Sequence, residues 1–204
     1  MNSSYPIIGL IGGIGSGKST IASVLKTNGC VIADADENTS VVLKDSEVRD
    51  QLVQWWGKEI LNIDGHVNRK EVSGIVFNDE DERKKLETLI HPRVMAMQEA
   101  QFLAAPSETI ALVIDAPLLI ESGLDSICDA VIFVDASKET RLQRVINNRG
   151  WSEDELEKRE YSQLPLDMKR KKADYVVVNE GDLNEVHNQV KQILENIHNR
   201  RPAR

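Results

Sequence analysis

The run Gly12-Gly13-Ile14-Gly15-Ser16-Gly17-Lys18-Ser19 carries glycine, lysine and serine at the spacing G-x-x-x-x-G-K-S. Glycines let a backbone curl until successive N–H groups point inward, and such a nest binds phosphate oxygens. A helix that opens at the end of the loop adds partial positive charge. Lys18 would reach the β- and γ-phosphates of ATP, and the Ser19 hydroxyl would ligate Mg²⁺. The spacing alone recurs by chance. Here an apolar run precedes it and an amphipathic stretch follows, which is the context the chemistry needs. Gly13, Ile14, Gly15, Ser16, Gly17, Lys18, Ser19 and Thr20 are therefore the candidate nucleotide-binding residues.

Carboxylates come next. Asp34-Ala35-Asp36 follows a second apolar run. At the end of a parallel strand a carboxylate lies beside the phosphate loop. It can accept a proton from an attacking hydroxyl or hold Mg²⁺ through water. A helix N-cap uses the same residue type at the same place, so both roles stay open for Asp34. Asp36 and Asp115 are candidate metal ligands with Ser19. Asp115 closes a third apolar run, in Ile114-Asp115-Ala116-Pro117-Leu118-Leu119-Ile120-Glu121. Pro117 fixes the turn that follows. Glu121 would face a substrate hydroxyl or start a helix.

Basic residues concentrate late in an acidic chain. Arg141, Arg144 and Arg149 precede Trp151, and Arg159, Lys169, Arg170, Lys171 and Lys172 follow. Arg141 and Arg144 are three apart, hence on one helix face. Such a segment suits a lid whose guanidinium forks neutralise transferring charge and whose closure excludes water. Glu153, Asp154, Glu155, Glu157 and Glu160 are interleaved, so a solvated, salt-bridged helix is the other reading for most of these residues.

The elements that must position these groups alternate. Strands are expected at Ile7-Ile8-Gly9-Leu10-Ile11, Cys30-Val31-Ile32-Ala33, Ile110-Ala111-Leu112-Val113-Ile114, Ala130-Val131-Ile132-Phe133-Val134 and Tyr175-Val176-Val177-Val178. Short apolar strands separated by helices imply an α/β fold with a five-stranded parallel sheet. A helix over residues 18–28 stops at Gly29. Leu183, Val186, Val190, Ile193, Leu194 and Ile197 mark a last amphipathic helix. The core would be residues 6–36, 108–136 and 173–198 of a single domain. A mostly helical lobe over 37–107 and the basic segment 137–172 leave it at strand C-terminal ends, where open α/β folds bind ligands. Asp79-Glu80-Asp81-Glu82 reads as an acidic helix start, and His91-Pro92 is expected to break or kink the helix that follows.

A formal net charge of −8 argues against broad binding to nucleic acid or anionic membrane. Cys30 and Cys128 lack the spacing of a metal site or a disulfide framework and read as small buried hydrophobes. No basic leader or long apolar run is present, so a cytoplasmic location is expected, with no membrane, nucleic-acid or obligate protein partner. Residues 199–204 look like a basic, frayed end.

Taken in order, these stretches resemble the dephospho-CoA kinase family from about Ile7 to Ile197. The residues that carry the resemblance are the loop 9–20, Asp34-Ala35-Asp36, Asp64-Gly65 with Asn68-Arg69, Ile75-Val76-Phe77, His91-Pro92, Pro117-Leu118-Leu119-Ile120-Glu121, Gln163, Ala173-Asp174 and Asn179. The resemblance implies a nucleoside-monophosphate-kinase-like P-loop fold with a CoA lobe and a lid. It implies transfer of the ATP γ-phosphoryl to the ribose 3′-hydroxyl of dephospho-CoA, with Asp34 as the base. Arg69, His91, Pro117, Leu118 and Glu121 become candidate substrate contacts, and Arg144 joins Lys18 and Asp34 as a candidate catalytic group. Two departures stand out. The family's lid usually repeats arginine after four residues, whereas Asn148 holds that place here and Arg149 comes one later. Ile120 also replaces a common aromatic.

Rival readings are another small-molecule P-loop kinase, a non-catalytic CoA-binding module and a regulatory GTPase. The GTPase needs Asn-Lys-x-Asp after a strand, and the nearest match, Lys171-Lys172-Ala173-Asp174, lacks the Asn and precedes a strand.

Overall fold

The computed structural model describes residues 4–200, apart from the side chain of Asn78. Of the basic end expected at 199–204, residues 201–204 lie outside the described residues. By contacts the chain divides into two compact units, residues 1–33 with 105–204, and residues 34–104.

The first unit carries the sheet. Its strands are β1 (Ile7–Gly12), β2 (Cys30–Asp34), β3 (Ala111–Asp115), β4 (Ala130–Asp135) and β5 (Tyr175–Val178), in the order β2-β3-β1-β4-β5. β1 pairs in parallel with β3 and β4, and β4 with β5. Every residue of β1 and β3 is buried, as expected of strands covered on both faces. The expected strands match the observed ones within a residue at each end.

Two helices cover one face. α1 (Lys18–Thr27) presents Ile21, Val24 and Leu25, and α9 (Leu183–Arg200) presents Val186, Val190, Ile193, Leu194 and Ile197. These side chains form one cluster with Ile8, Leu10, Val113, Ile132 and Val177. Each fully buried aliphatic side chain there contributes about 1.5–3 kcal/mol of hydrophobic stabilisation. α6 (Lys138–Arg149), α7 (Glu153–Tyr161) and α8 (Leu166–Lys172) make up the basic segment.

The second unit is helical: α2 (Ala35–Val42), α3 (Ser46–Trp56), α4 (Arg69–Asn78) and α5 (Glu80–Leu103). Val48, Leu52, Ile60, Val72 and Ile90 close its own core, with Trp55, Trp56 and Leu89 packed against them. Asp45, Asn68 and Asp79 cap α3, α4 and α5 with side-chain oxygens on first-turn amides. The expected break at His91-Pro92 does not occur, because α5 runs through Pro92 without interruption. A proline inside a helix forfeits one backbone hydrogen bond, here to the Thr88 carbonyl. A neighbouring side chain reinforces that turn: Arg93 Nη1 donates to the Leu89 carbonyl at 3.0 Å. Burial of Ile90 on one side and Gln98 and Phe102 on the other holds the helix together.

Candidate active site

The loop between β1 and α1 has the geometry its composition implies. Gly15 and Gly17 have φ of 80° and 84°, in the left-handed region that a side chain would strain. A Cβ on Gly15 would also lie 2.6 Å from the Arg141 carbonyl oxygen. Ser16 is fully buried, and its Oγ has no hydrogen-bond partner among the described residues. A curled glycine loop with an orphaned buried hydroxyl fits a polar ligand, and ATP phosphate is the ligand its donor set suits.

Lys18, the first residue of α1, ion-pairs with the buried Asp115 at the end of β3. Parallel pairing of β1 with β3 places Leu10 opposite Asp115, so the sheet itself brings the lysine and the carboxylate together.

The outer side of the loop is held by cations from α6. Arg141 is buried, pairs with Glu160 of α7, and donates to the Ile14 carbonyl at 3.3 Å. Arg144 donates to the Ser16 carbonyl at 3.0 Å and to the Asn179 carbonyl at 2.9 Å. Asn179, just past β5, also donates its side-chain amide to the Ser16 carbonyl at 2.8 Å. These donors sit on the loop's carbonyl side, and polarising a carbonyl strengthens the N–H of the same peptide as a donor. Arg149 points elsewhere. Its guanidinium lies 4.7 Å from the Trp151 ring centroid, and Arg159 lies 4.2 Å from it.

The turn after β3 meets the end of the basic segment. Lys169 has no exposed surface and reaches the Pro117 carbonyl at 2.9 Å, Gln163 Oε1 at 3.0 Å and Glu121 Oε1 at 2.9 Å. The Leu164 amide donates to the same Glu121 oxygen at 3.0 Å. Partial burial works to raise the Glu121 pKa. The bonds from Lys169 and Leu164 outweigh it and hold the carboxyl below its ordinary value. Leu118 is exposed on this turn.

A cavity of about 100 Å³ opens beside Gly13, lined by residues 133–136, Arg141, Leu166 and Arg170. Nucleotide-sized pockets are roughly 300–1,000 Å³, so this is a local gap.

Asp34 closes β2 and caps α2: its Oδ1 accepts from the Asp36 amide at 2.8 Å and the Glu37 amide at 3.0 Å. The cap reading is therefore realised, and the second oxygen, Oδ2, takes neither of these bonds. Asp36 is exposed in the first turn of α2. Arg69 opens α4 and His91 lies within α5, both exposed. Among the described residues no three His, Cys, Asp or Glu side chains cluster as a metal site. Asp174 belongs to no base-reading site. Its carboxylate accepts from the Val131 amide at 2.8 Å and fastens the chain entering β5 to β4. Burial pushes both thiols up to about 12; at Cys128 the charges of Asp125 and Asp129 add to the effect.

The amino-acid sequence pointed to Asn179 only through the family resemblance, and neither Lys169 nor the Arg141–Glu160 pair stood out from the basic segment. Lys169 stands one helical turn after Leu166, which packs against Gly13, so its inward phase was a readable signal.

The family model for dephospho-CoA kinase matches residues 6–185. The chain belongs to that family. The dephospho-CoA kinase of Geobacillus kaustophilus is 40% identical over 190 residues, covering 92% of this chain and 94% of that one. A crystal structure from Thermus thermophilus superposes with a TM-score of 0.80 at 32% identity, covering 95% of this chain and 98% of the other. The dephospho-CoA kinase of Campylobacter jejuni shares the fold with a TM-score of 0.62 at 23% identity, covering 95% and 97%. Members of the family transfer phosphate from ATP to dephospho-CoA, the final step of coenzyme A biosynthesis, and the chain is an ATP-using kinase of this kind. No described helix is long and apolar enough to cross a membrane.

Proposed function

We propose that this chain phosphorylates the ribose 3′-hydroxyl of dephospho-CoA, with Asp34 as the general base. The hydroxyl oxygen attacks the γ-phosphorus, the bond to the β-bridging oxygen breaks, and ADP leaves. The hydroxyl proton passes to Asp34. Support comes from one observation above all: both capping amides fall on Asp34 Oδ1, so Oδ2 is available to take a proton while the cap holds the carboxylate in place. Lys18 and the loop N–H groups other than those of Ser16 and Thr20, which donate to the Gly13 and Gly17 carbonyls, would receive the phosphates, and Arg144 braces the loop from its carbonyl side. In this reading Mg²⁺ would take the Ser19 hydroxyl as one ligand and the carboxylates of Asp36 and Asp115 as others, as P-loop kinases use it. The ion would neutralise charge on the β- and γ-phosphates.

Residues 37–107 form the CoA lobe in this reading, with Arg69 and His91 as contacts, and 137–172 form the lid. Pro117, Leu118 and Glu121 line the acceptor side. The enzyme works in the cytoplasm on small molecules, without nucleic-acid, membrane or obligate protein partners.

The test is Asp34→Asn against Asp36→Asn. Asparagine caps a helix about as well as aspartate, so the first variant keeps its fold. It should bind ATP like the wild type and lose about 10²–10⁴ in kcat. Asp36→Asn should lose less. A wild-type kcat for Asp34→Asn, or faster phosphorylation of AMP than of dephospho-CoA by the unmutated chain, overturns the proposal.

A further inference from the structure

We propose that Lys169 is a positioning residue for phosphoryl transfer, an inference that rests on the kinase reading above. Its ammonium is fully buried and its three donors meet three acceptors: the Pro117 carbonyl, Gln163 Oε1 and Glu121 Oε1. Two of these acceptors lie on the turn after β3, and the third precedes α8. The lysine therefore fastens two stretches of chain that no backbone ladder joins.

Both stretches end on the phosphate loop. The turn begins directly after Asp115, whose carboxylate holds Lys18. A shift of the Pro117 carbonyl is two residues from that ion pair. On the other side, α8 carries Leu166, whose methyl carbons would stand 3.1 Å from a Cβ on Gly13. One ammonium thus sets the height of Lys18 through Asp115 and the wall behind Gly13 through Leu166.

Stability alone does not account for such a group. Taking an ammonium out of water is costly, and an apolar side chain of similar volume often serves a fold as well or better when its charged partner is removed too. What an apolar side chain cannot do is hold three oxygens in fixed directions. Reactions that depend on positioning are sensitive to displacements of about 1 Å.

The experiment separates the two roles. Lys169→Met leaves Glu121 without its cation, so its loss mixes stability with geometry. The double variant Lys169→Met/Glu121→Gln removes both charges and is compared with Glu121→Gln alone. Tm should return to within a few degrees of the Glu121→Gln value, while kcat with ATP and dephospho-CoA stays down by about fivefold or more. A kcat closer than that to Glu121→Gln at recovered Tm overturns the proposal. Amide hydrogen exchange of residues 116–121 and 163–172 in the same pair of proteins is the second readout. Faster exchange in the double variant supports the clamp, and unchanged exchange overturns it. That arm does not depend on turnover: an unmutated chain inactive on dephospho-CoA would sink the kinase reading while exchange still decided the clamp. Should the double variant not fold, Gln163→Leu removes one acceptor and keeps the ion pair. It must then lower kcat by about threefold or more, and a smaller change counts against Lys169.

Discussion

Charges around the phosphate loop and charges on the exposed face of α5 are used in opposite ways. Around the phosphate loop they are paired and shielded. Side-chain exposures are 18% and 6% for Lys18 and Asp115, 7% and 23% for Arg141 and Glu160, and 0% and 21% for Lys169 and Glu121. On the exposed face at the start of α5 the pairs are local and open to water: Lys84 with Glu80 at 63% and 67%, and Arg83 with Glu80 and Glu87. A shielded pair fixes direction, because each partner left alone would be an uncompensated charge in a poor solvent. An exposed pair is screened and pays side-chain entropy for little Coulomb gain. The first kind builds a site that is ready before substrate arrives. The second keeps a long helix soluble.

If that contrast is right, the largest effect belongs to Lys18. Lys18→Ala removes the one full charge of the phosphate loop and its ion pair with the buried Asp115. Turnover should fall by about 10²–10³, as for other preorganised electrostatic donors. Steady-state kinetics at saturating ATP check it. Turnover near wild type would mean that the shielded pair is architecture only.

Next come Arg144 and Arg149 of α6. Arg144 makes charge-assisted bonds to the Ser16 and Asn179 carbonyls, each worth about 1.5–3 kcal/mol. Arg149 rests on the Trp151 ring at the exposed end of α6. Arg144→Ala should lower kcat/KM for ATP by about ten- to a hundredfold. Arg149→Ala should cost clearly less. The reverse order in the same assay would show that the exposed arginine swings onto phosphate and that shielding is a poor guide on α6.

This ranking shows what was legible beforehand. The sheet was, because a strand buried on both faces leaves an uninterrupted apolar run, as in Ile7-Ile8-Gly9-Leu10-Ile11 and Ala130-Val131-Ile132-Phe133-Val134. The phosphate loop was legible because glycine, lysine and serine at fixed spacing have few other uses. Asp34 stands at its expected strand end and caps α2; composition could not separate a cap from a base. Lys169 was not singled out. It sits in the run Lys169-Arg170-Lys171-Lys172, and only the phase of a seven-residue helix decides which of the four turns inward. No break occurs at Pro92, because a local steric rule leaves out the burial of Ile90 and Phe102 on either side of it.

A smaller effect separates the pairs by pH. Glu121 has its pKa lowered in the folded protein, so its contribution to stability is present above the unfolded carboxylate pKa and is lost as pH falls through the folded one. Glu121→Gln should therefore flatten the acid limb of a Tm–pH curve from the ordinary glutamate pKa downward through the lowered one, relative to wild type, and leave its slope above that range unchanged. An unchanged acid limb would mean that Lys169 holds the turn through Pro117 and Gln163 alone.

The smallest effect belongs to the exposed face of α5. Lys84 and Glu80 are one helical turn apart, 3.1 Å between charged atoms, in the orientation that favours an i,i+4 pair. Glu80 also sits in the first turn, where an acidic residue suits the helix dipole whether or not Lys84 is present. Lys84→Gln keeps a good helix former and leaves Arg83 beside Glu80. The Glu80 pKa is lowered chiefly by the Lys84 hydrogen bond, but the pair is fully exposed and salt screens it. Lys84→Gln should therefore leave Tm within the scatter of replicate melts at 0.15 M salt and kcat unchanged. Melting at low and high salt sharpens the comparison, since any difference from wild type should vanish as salt rises. A Tm drop as large as that of Lys169→Met, persisting at high salt, would mean that exposure does not sort these pairs and that α5 depends on its surface charges for more than solubility.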